Sequence, residues 1–361
     1  MSVFDHREFR DHEQVVFWND RRAGLKAILA VHSTIRGPAL GGCRMWPYAS
    51  DAQALTDVLR LSRGMTFKSA LARLPLGGGK SVIIGDPHRD KTPMLMEAMG
   101  RAVESLGGRY IAAEDSGTSV PDLQCMAKVT RHVGGVAEVT GWDGRMRNGD
   151  PSPATAYGCF VGIQSAVRHR LGRDSLEGVS VAIQGVGNVG RQLAELLDRA
   201  GATLYVSDLQ SDQVRYVVER NGAIPVSGDR LLDLEVDVFA PCAMGGVLND
   251  ATIPRLRASI VAGSANNQLA EARHGDALAE RGILYAPDYA INAGGIIDVA
   301  SEHEGYDPRL VRRRLDEIGT TLDAIFRRAC ERAESTHRIA DELALQRLHT
   351  EADPMVVRVA A

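Results

Sequence analysis

The stretch "VSVAIQGVGNVGRQLAELLDRAGATLYVSD", residues 179–208, decides the fold. Its first residues are apolar and β-branched, as in a buried strand. The glycine-rich "GVGNVG" (185–190) follows, then apolar residues at helical spacing, then "TLYVSD" as a second strand. GxGxxG alone is a weak signal and also marks ordinary strand-to-helix turns. Here it joins a strand to a helix, and Asp208 ends the next strand 23 residues beyond Gly185. That context is a dinucleotide fingerprint. Gly185 permits the tight turn, Gly187 lets the backbone approach a pyrophosphate, and Gly190 allows close helix–strand packing. The helix start, with Asn188 and Val189, offers free N–H groups and a favourable dipole to phosphates. Asp208 can accept hydrogen bonds from a ribose hydroxyl and would repel a 2′-phosphate. No Arg or Lys follows it until Arg215. The expected cofactor is therefore NAD in preference to NADP.

Further short apolar runs continue the rhythm: "VDVFAP", "SIVAGSAN" and "ILYAPD". Regular strand–helix alternation predicts a parallel sheet, with ligand loops at the strand ends. Upstream, "EQVVFWND" and "LKAILAVHS" read as strands, 52–74 and 91–106 as helices, and "RYIAAED" as another strand. "TGWDGRMRNGDPSPATAYG" (140–158), rich in Gly, Asp and Pro, is the best boundary. The expectation is an α/β chain of two domains with a cleft between them. Residues 1–145 would form a catalytic and oligomerisation domain completed by helices in 331–361, and 146–330 a Rossmann-type NAD domain. The Arg-rich helical stretch from about 308 reads as a solvated helix face.

Bulk properties exclude several classes. A formal net charge of −4 without a dense basic block argues against nucleic-acid binding. The five scattered cysteines form no CxxC pair, so neither a disulfide framework nor a zinc site is expected. The charged N-terminus has no apolar signal segment, and no run approaches the ~18 apolar residues of a membrane span. A cytoplasmic protein with no bound metal is expected.

A second glycine-rich stretch, "LPLGGGKSVIIGD" (74–86), imitates a phosphate loop. The pattern would need glycine at position 74, which is leucine, and the flanks run helix, glycine turn, strand instead of strand, loop, helix. Lys80 therefore needs other chemistry. Lys68 lies on the preceding helix among small and apolar residues, and Asp115 ends "RYIAAED". Two lysines sharing a pocket would lower the pKa of at least one, which suits it to acid–base work. The other remains a cation for a carboxylate.

Nine stretches carry a family resemblance: "GPALGGCRMWPY" (37–48), "LRLSRGMTFKSA" (59–70), "LGGGKSVIIGDP" (76–87), "GRYIAAEDSGTS" (108–119), "PSPATAYG" (151–158), "QGVGNVG" (184–190), "APCAMGG" (240–246), "AGSANNQL" (262–269) and "YAPDYAINAGGIIDV" (285–299). Together they resemble the glutamate/leucine/phenylalanine/valine dehydrogenase family, and within it the leucine-oxidising branch. The resemblance implies that Lys68 binds the substrate carboxylate, Lys80 is the catalytic lysine, and Asp115 exchanges protons with the amino group and the attacking water. It implies that Thr155 bonds the nicotinamide carboxamide, that Asn267 lies near nicotinamide and substrate, and that Gly41, Gly42 and Gly78 line the lysine pocket. The implied reaction is reversible oxidative deamination of an L-amino acid to a 2-oxo acid and ammonia.

The resemblance also assigns the side-chain pocket to Leu40, Ala113, Ile296 and Val299. These are apolar, so a glutamate side chain would be desolvated without a counter-ion. Leucine is expected, with isoleucine and valine overlapping, because one methylene discriminates by only ~1–3 kcal/mol. The alternatives are a phenylalanine- or tryptophan-preferring enzyme on the same scaffold and an inactive NAD-binding regulatory or assembly protein. The stretch "GWDGRMRNGD" is longer than the family's usual connection, and the resemblance thins beyond Glu302. A homo-oligomer, octamer or dimer, is the implied assembly.

Overall fold

The computed structural model describes residues 2–303 and 305–350. Its contacts divide the chain into two units. The first runs to Asp150 and takes in Asp298–Val311 and the chain from Ala344. The second comprises Pro151–Ile297 and Arg312–Leu343. The first cut thus falls five residues past the expected 145. The C-terminal helices are shared, with 331–343 in the second unit, whereas all of 331–361 was expected in the first. Residues 351–361 of that expectation lie outside the described residues.

In the first unit, strands β1 (Gln14–Asp20), β2 (Leu25–Ser33) and β3 (Ala39–Trp46) are followed by helix α1 (Asp51–Leu71). Next come β4 (Gly77–Ile84), α2 (Pro93–Glu104), β5 (Tyr110–Glu114) and α3 (Val120–Ala127). The sheet order is β1-β2-β4-β3-β5, antiparallel from β1 to β4 and parallel from β4 to β5. Ser50 caps α1, its hydroxyl accepting from the Gln53 N–H at 3.2 Å, and Pro75 prevents the helix from resuming. Pleating sends alternate residues to opposite faces. Ile28, Ala30 and Val82 pack with Val58 and Leu59 of α1, whereas Leu29, Val31 and Ile83 pack with Met96, Met99 and Met126 of α2 and α3.

The glycine triplet differs from its sequence reading. Gly77, Gly78 and Gly79 are the first residues of β4, not a turn before it. Their composition conceals this, because the side chains that normally announce a strand are missing. A Cβ at Gly78 would stand 2.0 Å from the Thr66 backbone nitrogen, so α1 rests directly on the strand there. The expected boundary segment contains a small ribbon, β6 (Val139–Thr140) with β7 (Met146–Arg147), in which buried Arg147 pairs with Asp143 at 2.8 Å.

The second unit opens with α4 (Ser152–Leu171), ended by Gly172 in the left-handed region at φ 65°. Then follow β8 (Ser180–Gln184), α5 (Asn188–Arg199), β9 (Thr203–Ser207), α6 (Ser211–Asn221), β10 (Ile224–Pro225), α7 (Gly228–Leu231), β11 (Val238–Pro241), β12 (Ile260–Val261), α8 (Arg273–Glu280), β13 (Leu284–Tyr285) and α9 (Asp288–Ile291). All its strands pair in parallel, in the order β10-β9-β8-β11-β12-β13. The chain winds outward from β8 one way, then from β11 the other. That places a topological switch point between β8 and β11, where doubly wound sheets bind ligands.

Helices α10 (Gly294–His303), α11 (Pro308–Arg332) and α12 (Thr336–His349) complete the chain. The arginines of α11 form exposed i,i+4 pairs such as Arg312–Asp316 and Arg327–Glu331, but Arg314 is buried. Among the described residues, no helix is long and apolar enough to cross a membrane.

Candidate active site

Strand pleat decides which way Lys80 points. It shares parity with Gly78 and Val82, so it lies on the α1 face of the sheet, the helix that carries half-buried Lys68. Lys80 is itself buried, in the middle of β4 between β2 and β3. Its Nζ meets Asp115 Oδ2 at 2.7 Å. Gly42 makes room for the pair, since a Cβ there would stand 2.6 Å from Asp115 Cβ and 3.0 Å from Lys80 Nζ. Gly42 pairs with Ala113 across β3 and β5, and Leu40 pairs with Gly78 on one side and Ile111 on the other. Leu40, Gly42, Gly78, Lys80 and Ala113 thus occupy neighbouring positions on three strands, with Asp115 just past the end of β5. Gly41 is in contact too: a Cβ there would overlap the Gly79 carbonyl.

The turn after β5 fixes the carboxylate's backbone. The Asp115 N–H donates to Thr118 Oγ1 at 3.1 Å, and that hydroxyl donates to the Cys43 carbonyl at 2.8 Å. Burial would raise the Asp115 pKa, but the charges of Lys80 and Arg44 outweigh it and hold the carboxyl at about 2. The result is an ionised carboxylate locked to a buried cation. Beside it, burial and the carboxylates of Asp150, Asp115 and Asp122 push Glu114 up to about 7.

Helix α10 carries Ile296 and Val299 one turn apart, both buried. Val299 packs on a backbone turn of the first unit, where a Cβ at Gly134 would meet Val299 Cγ1 at 2.8 Å. The Gly134 N–H donates to the Ala112 carbonyl of β5 at 2.8 Å, so Val299 packs on a turn that is hydrogen-bonded to β5.

In the second unit, the GVGNVG loop connects β8 to α5 at the switch point. Gly185 has φ 92°, a conformation that favours glycine. A Cβ at Gly190 would overlap the Gly185 carbonyl, at 2.0 Å. At Gly187, the N-cap of α5, a Cβ would meet nothing within 4 Å, which leaves the backbone open to a ligand. The loop, the open helix start with Asn188 and Val189, and the acid after β9 fit a dinucleotide. Asp208 has a function the sequence did not suggest. Its Oδ2 accepts from the Val186 N–H at 2.8 Å and its Oδ1 from the Gln210 N–H at 2.9 Å, so it also braces the glycine loop. Each carboxylate oxygen retains a lone pair for a ribose hydroxyl.

Thr155 lies on the first turn of α4, and a Cβ at Gly295 would meet its Oγ1 at 2.7 Å. Asn267 is exposed in the left-handed region at φ 51°, its carbonyl accepting from the Gly246 N–H at 2.7 Å. Several residues escaped the sequence reading. Arg44 bonds Asp115 at 2.9 Å, and fully buried Tyr110 donates to the Gly41 carbonyl at 2.8 Å. Arg44 lies within "GGCRMWPY", but nothing in its local pattern reveals a partner 71 positions away.

Comparison with known proteins agrees with this architecture. Residues 12–132 match the family model "Glu/Leu/Phe/Val dehydrogenase, dimerisation domain". Residues 149–224 and 206–352 match "Glutamate/Leucine/Phenylalanine/Valine dehydrogenase". A leucine dehydrogenase from Geobacillus stearothermophilus is 48% identical over 97% of this chain and 94% of its own. A valine dehydrogenase from Streptomyces coelicolor is 46% identical over 97% and 95%. The crystal structure of L-tryptophan dehydrogenase from Nostoc punctiforme superposes with a TM-score of 0.79 at 43% identity, covering 94% of this chain and 96% of that one. With matches across both units and near-complete coverage, the chain belongs to the glutamate/leucine/phenylalanine/valine dehydrogenase family and is an amino acid dehydrogenase.

Proposed function

We propose that the protein catalyses the reversible, NAD-dependent oxidative deamination of branched-chain L-amino acids, leucine foremost, with isoleucine and valine accepted. The observation that carries this reading is the buried Lys80–Asp115 pair at 2.7 Å beside the apolar Leu40 and Ala113. Lys68 would bind the substrate carboxylate through a charge-assisted hydrogen bond. Lys80 and Asp115 would move protons to and from the amino nitrogen and the water that attacks the α-carbon. Bound NAD supplies the hydride acceptor. Gly185, Gly187, Asn188, Val189 and Gly190 would hold its pyrophosphate, Thr155 and Asn267 its nicotinamide end, and Asp208 its ribose. The carboxylate of Asp208 supports NAD over NADP, because a 2′-phosphate there would face a negative charge.

The specificity reading rests on Leu40, Ala113, Ile296 and Val299 as the walls of the side-chain pocket. None carries a charge to meet a glutamate γ-carboxylate. An aromatic preference is the second reading, favoured by the likeness to a tryptophan dehydrogenase at 43% identity. Assembly as a homo-oligomer is supported by the matched dimerisation domain and by edge strand β1, whose Phe17 is exposed.

NADH formation across leucine, isoleucine, valine, phenylalanine, tryptophan and glutamate tests the proposal. The expected order has leucine first in kcat/KM, valine and isoleucine within about tenfold, and glutamate without measurable turnover. A higher kcat/KM for phenylalanine or tryptophan than for leucine would establish the second reading. No turnover on any of the six would refute both.

A further inference from the structure

Arg44 also holds the Asp115 carboxylate, and its guanidinium is forked. Its Nε donates to Asp115 Oδ2 at 2.9 Å and its Nη1 to Asp57 Oδ2 at 2.9 Å. The Tyr48 hydroxyl donates to the same Asp57 oxygen at 2.6 Å. Lys80 meets Asp115 through Oδ2 as well, so two cations share one oxygen and neither of these bonds uses Oδ1.

The two cations differ in kind. A guanidinium keeps its charge at any working pH and presents a rigid fork, whereas an ammonium is a flexible point charge that can give up a proton. A lysine that trades protons during turnover has a varying hold on its carboxylate. Arg44, tethered to α1 through Asp57, does not vary. We propose that Arg44 is the positioning residue for Asp115: anchored by Asp57 and Tyr48, it fixes the carboxylate and keeps it ionised while Lys80 exchanges protons. This rests on the reading of Asp115 as the proton-exchanging carboxylate.

The surroundings determine the direction of the effect. Lys80 of β4 and Arg44 of β3 bond Asp115 directly, Cys43 of β3 and Tyr110 and Glu114 of β5 lie close by, and α1 reaches the group through Asp57, which is bonded to Arg44. Burial pushes the Cys43 thiol up to about 12 and the Tyr110 hydroxyl well above its ordinary value, so both stay neutral. Asp122 of α3 is paired with Lys91 at 2.8 Å. Without Arg44, Asp115 would retain one cation against the acids Glu114 and Asp57, and its pKa would rise.

The test is the pH dependence of kcat/KM for the best L-amino acid substrate, in the full-length wild type and in Arg44→Gln, Arg44→Lys and Asp115→Asn. Thermal melting and NADH binding serve as controls. Arg44→Gln should lower kcat about tenfold, less than the roughly 10²–10⁴-fold of a lost acid–base group, because Asp115 itself remains. Its acid limb should move up by about one pH unit, the size of a pKa change from one lost ion-pair partner. The KM for NAD should stay near its wild-type value. Arg44→Lys should hold the acid limb in place yet lose several-fold in kcat, because a flexible ammonium lacks the rigid fork that fixes Asp115 and Asp57 in one geometry. A folded Arg44→Gln with an unmoved acid limb would overturn the proposal, even if its kcat fell. If Arg44→Gln did not fold, wild-type kcat in Arg44→Lys would overturn it. Asp115→Asn separates the two readings: substantial turnover there removes the role of Asp115 itself. An inactive Asp115→Asn beside an unmoved Arg44→Gln limb removes only that of Arg44.

Discussion

Two glycine-rich stretches, "LGGGK" at 76–80 and "GVGNVG" at 185–190, have similar composition and opposite uses. In the first, the glycines form the start of a buried strand. What they exclude is the protein's own side-chain bulk, so that α1 can touch β4 at Gly78 and the Tyr110 ring can lie against Gly79. In the second, the glycines form a turn. Gly185 needs its positive φ and Gly190 its close approach, but Gly187 faces open space. One stretch is tight against protein and the other is open to a ligand. Glycine content alone therefore does not define a phosphate loop; what stands opposite the missing side chain does.

Under the proposed function, chemistry belongs to the first stretch and cofactor binding to the second, and substitutions can test that division. The largest expected effect is that of Lys80→Ala. Loss of the acid–base group should lower kcat by about 10³-fold or more, while NADH binding, proposed for the other unit, should stay nearly intact. Retention of more than a tenth of wild-type kcat would show that the lysine lacks the proposed role. A smaller effect is expected at Asp208. Its replacement by alanine removes a charged acceptor, worth about 1.5–3 kcal/mol in hydrogen bonding. The kcat/KM ratio of NAD over NADP should fall by about tenfold or more, and the glycine loop should lose its brace at the Val186 N–H. An unchanged ratio would mean that Asp208 acts only on the loop.

The second unit was largely legible in the sequence. β8, α5 and β9 lie where "VSVAIQ", "NVGRQLAELLDR" and "TLYVS" predict them, because apolar period and turn chemistry agree along that segment. The first unit was less so. β3 carries Gly41 and Gly42 in its centre, and β4 begins with three glycines, so neither shows a strand's alternation at the positions that matter. Their strand character comes from neighbours: β3 lies between β4 and β5, and Tyr110 reaches back to the Gly41 carbonyl. Lys80 and Asp115 could be grouped in one pocket, the lysine following a glycine run that fails as a phosphate loop and the acid ending "RYIAAED". Arg44 could not, because its ties to Asp57 and Asp115 depend on which strands lie side by side. The partition of α11 and α12 between the two units likewise follows from packing, which helix periodicity does not encode.

The contrast between the glycine stretches is tested most directly by a crossed measurement on Gly78→Ala and Gly187→Ala, with thermal unfolding and NADH titration on each. At Gly78 the new Cβ would meet the Thr66 backbone at 2.0 Å, so stability should fall by about 3 kcal/mol, the upper end of overpacking costs. At Gly187 it would meet no protein atom, so stability should stay within about 0.5 kcal/mol. There NADH affinity should weaken by about tenfold, or 1.4 kcal/mol. The expected result is a crossing: stability lost at Gly78, cofactor binding lost at Gly187. A Gly187→Ala protein that binds NADH as tightly as wild type, or a Gly78→Ala protein as stable as wild type, would contradict it.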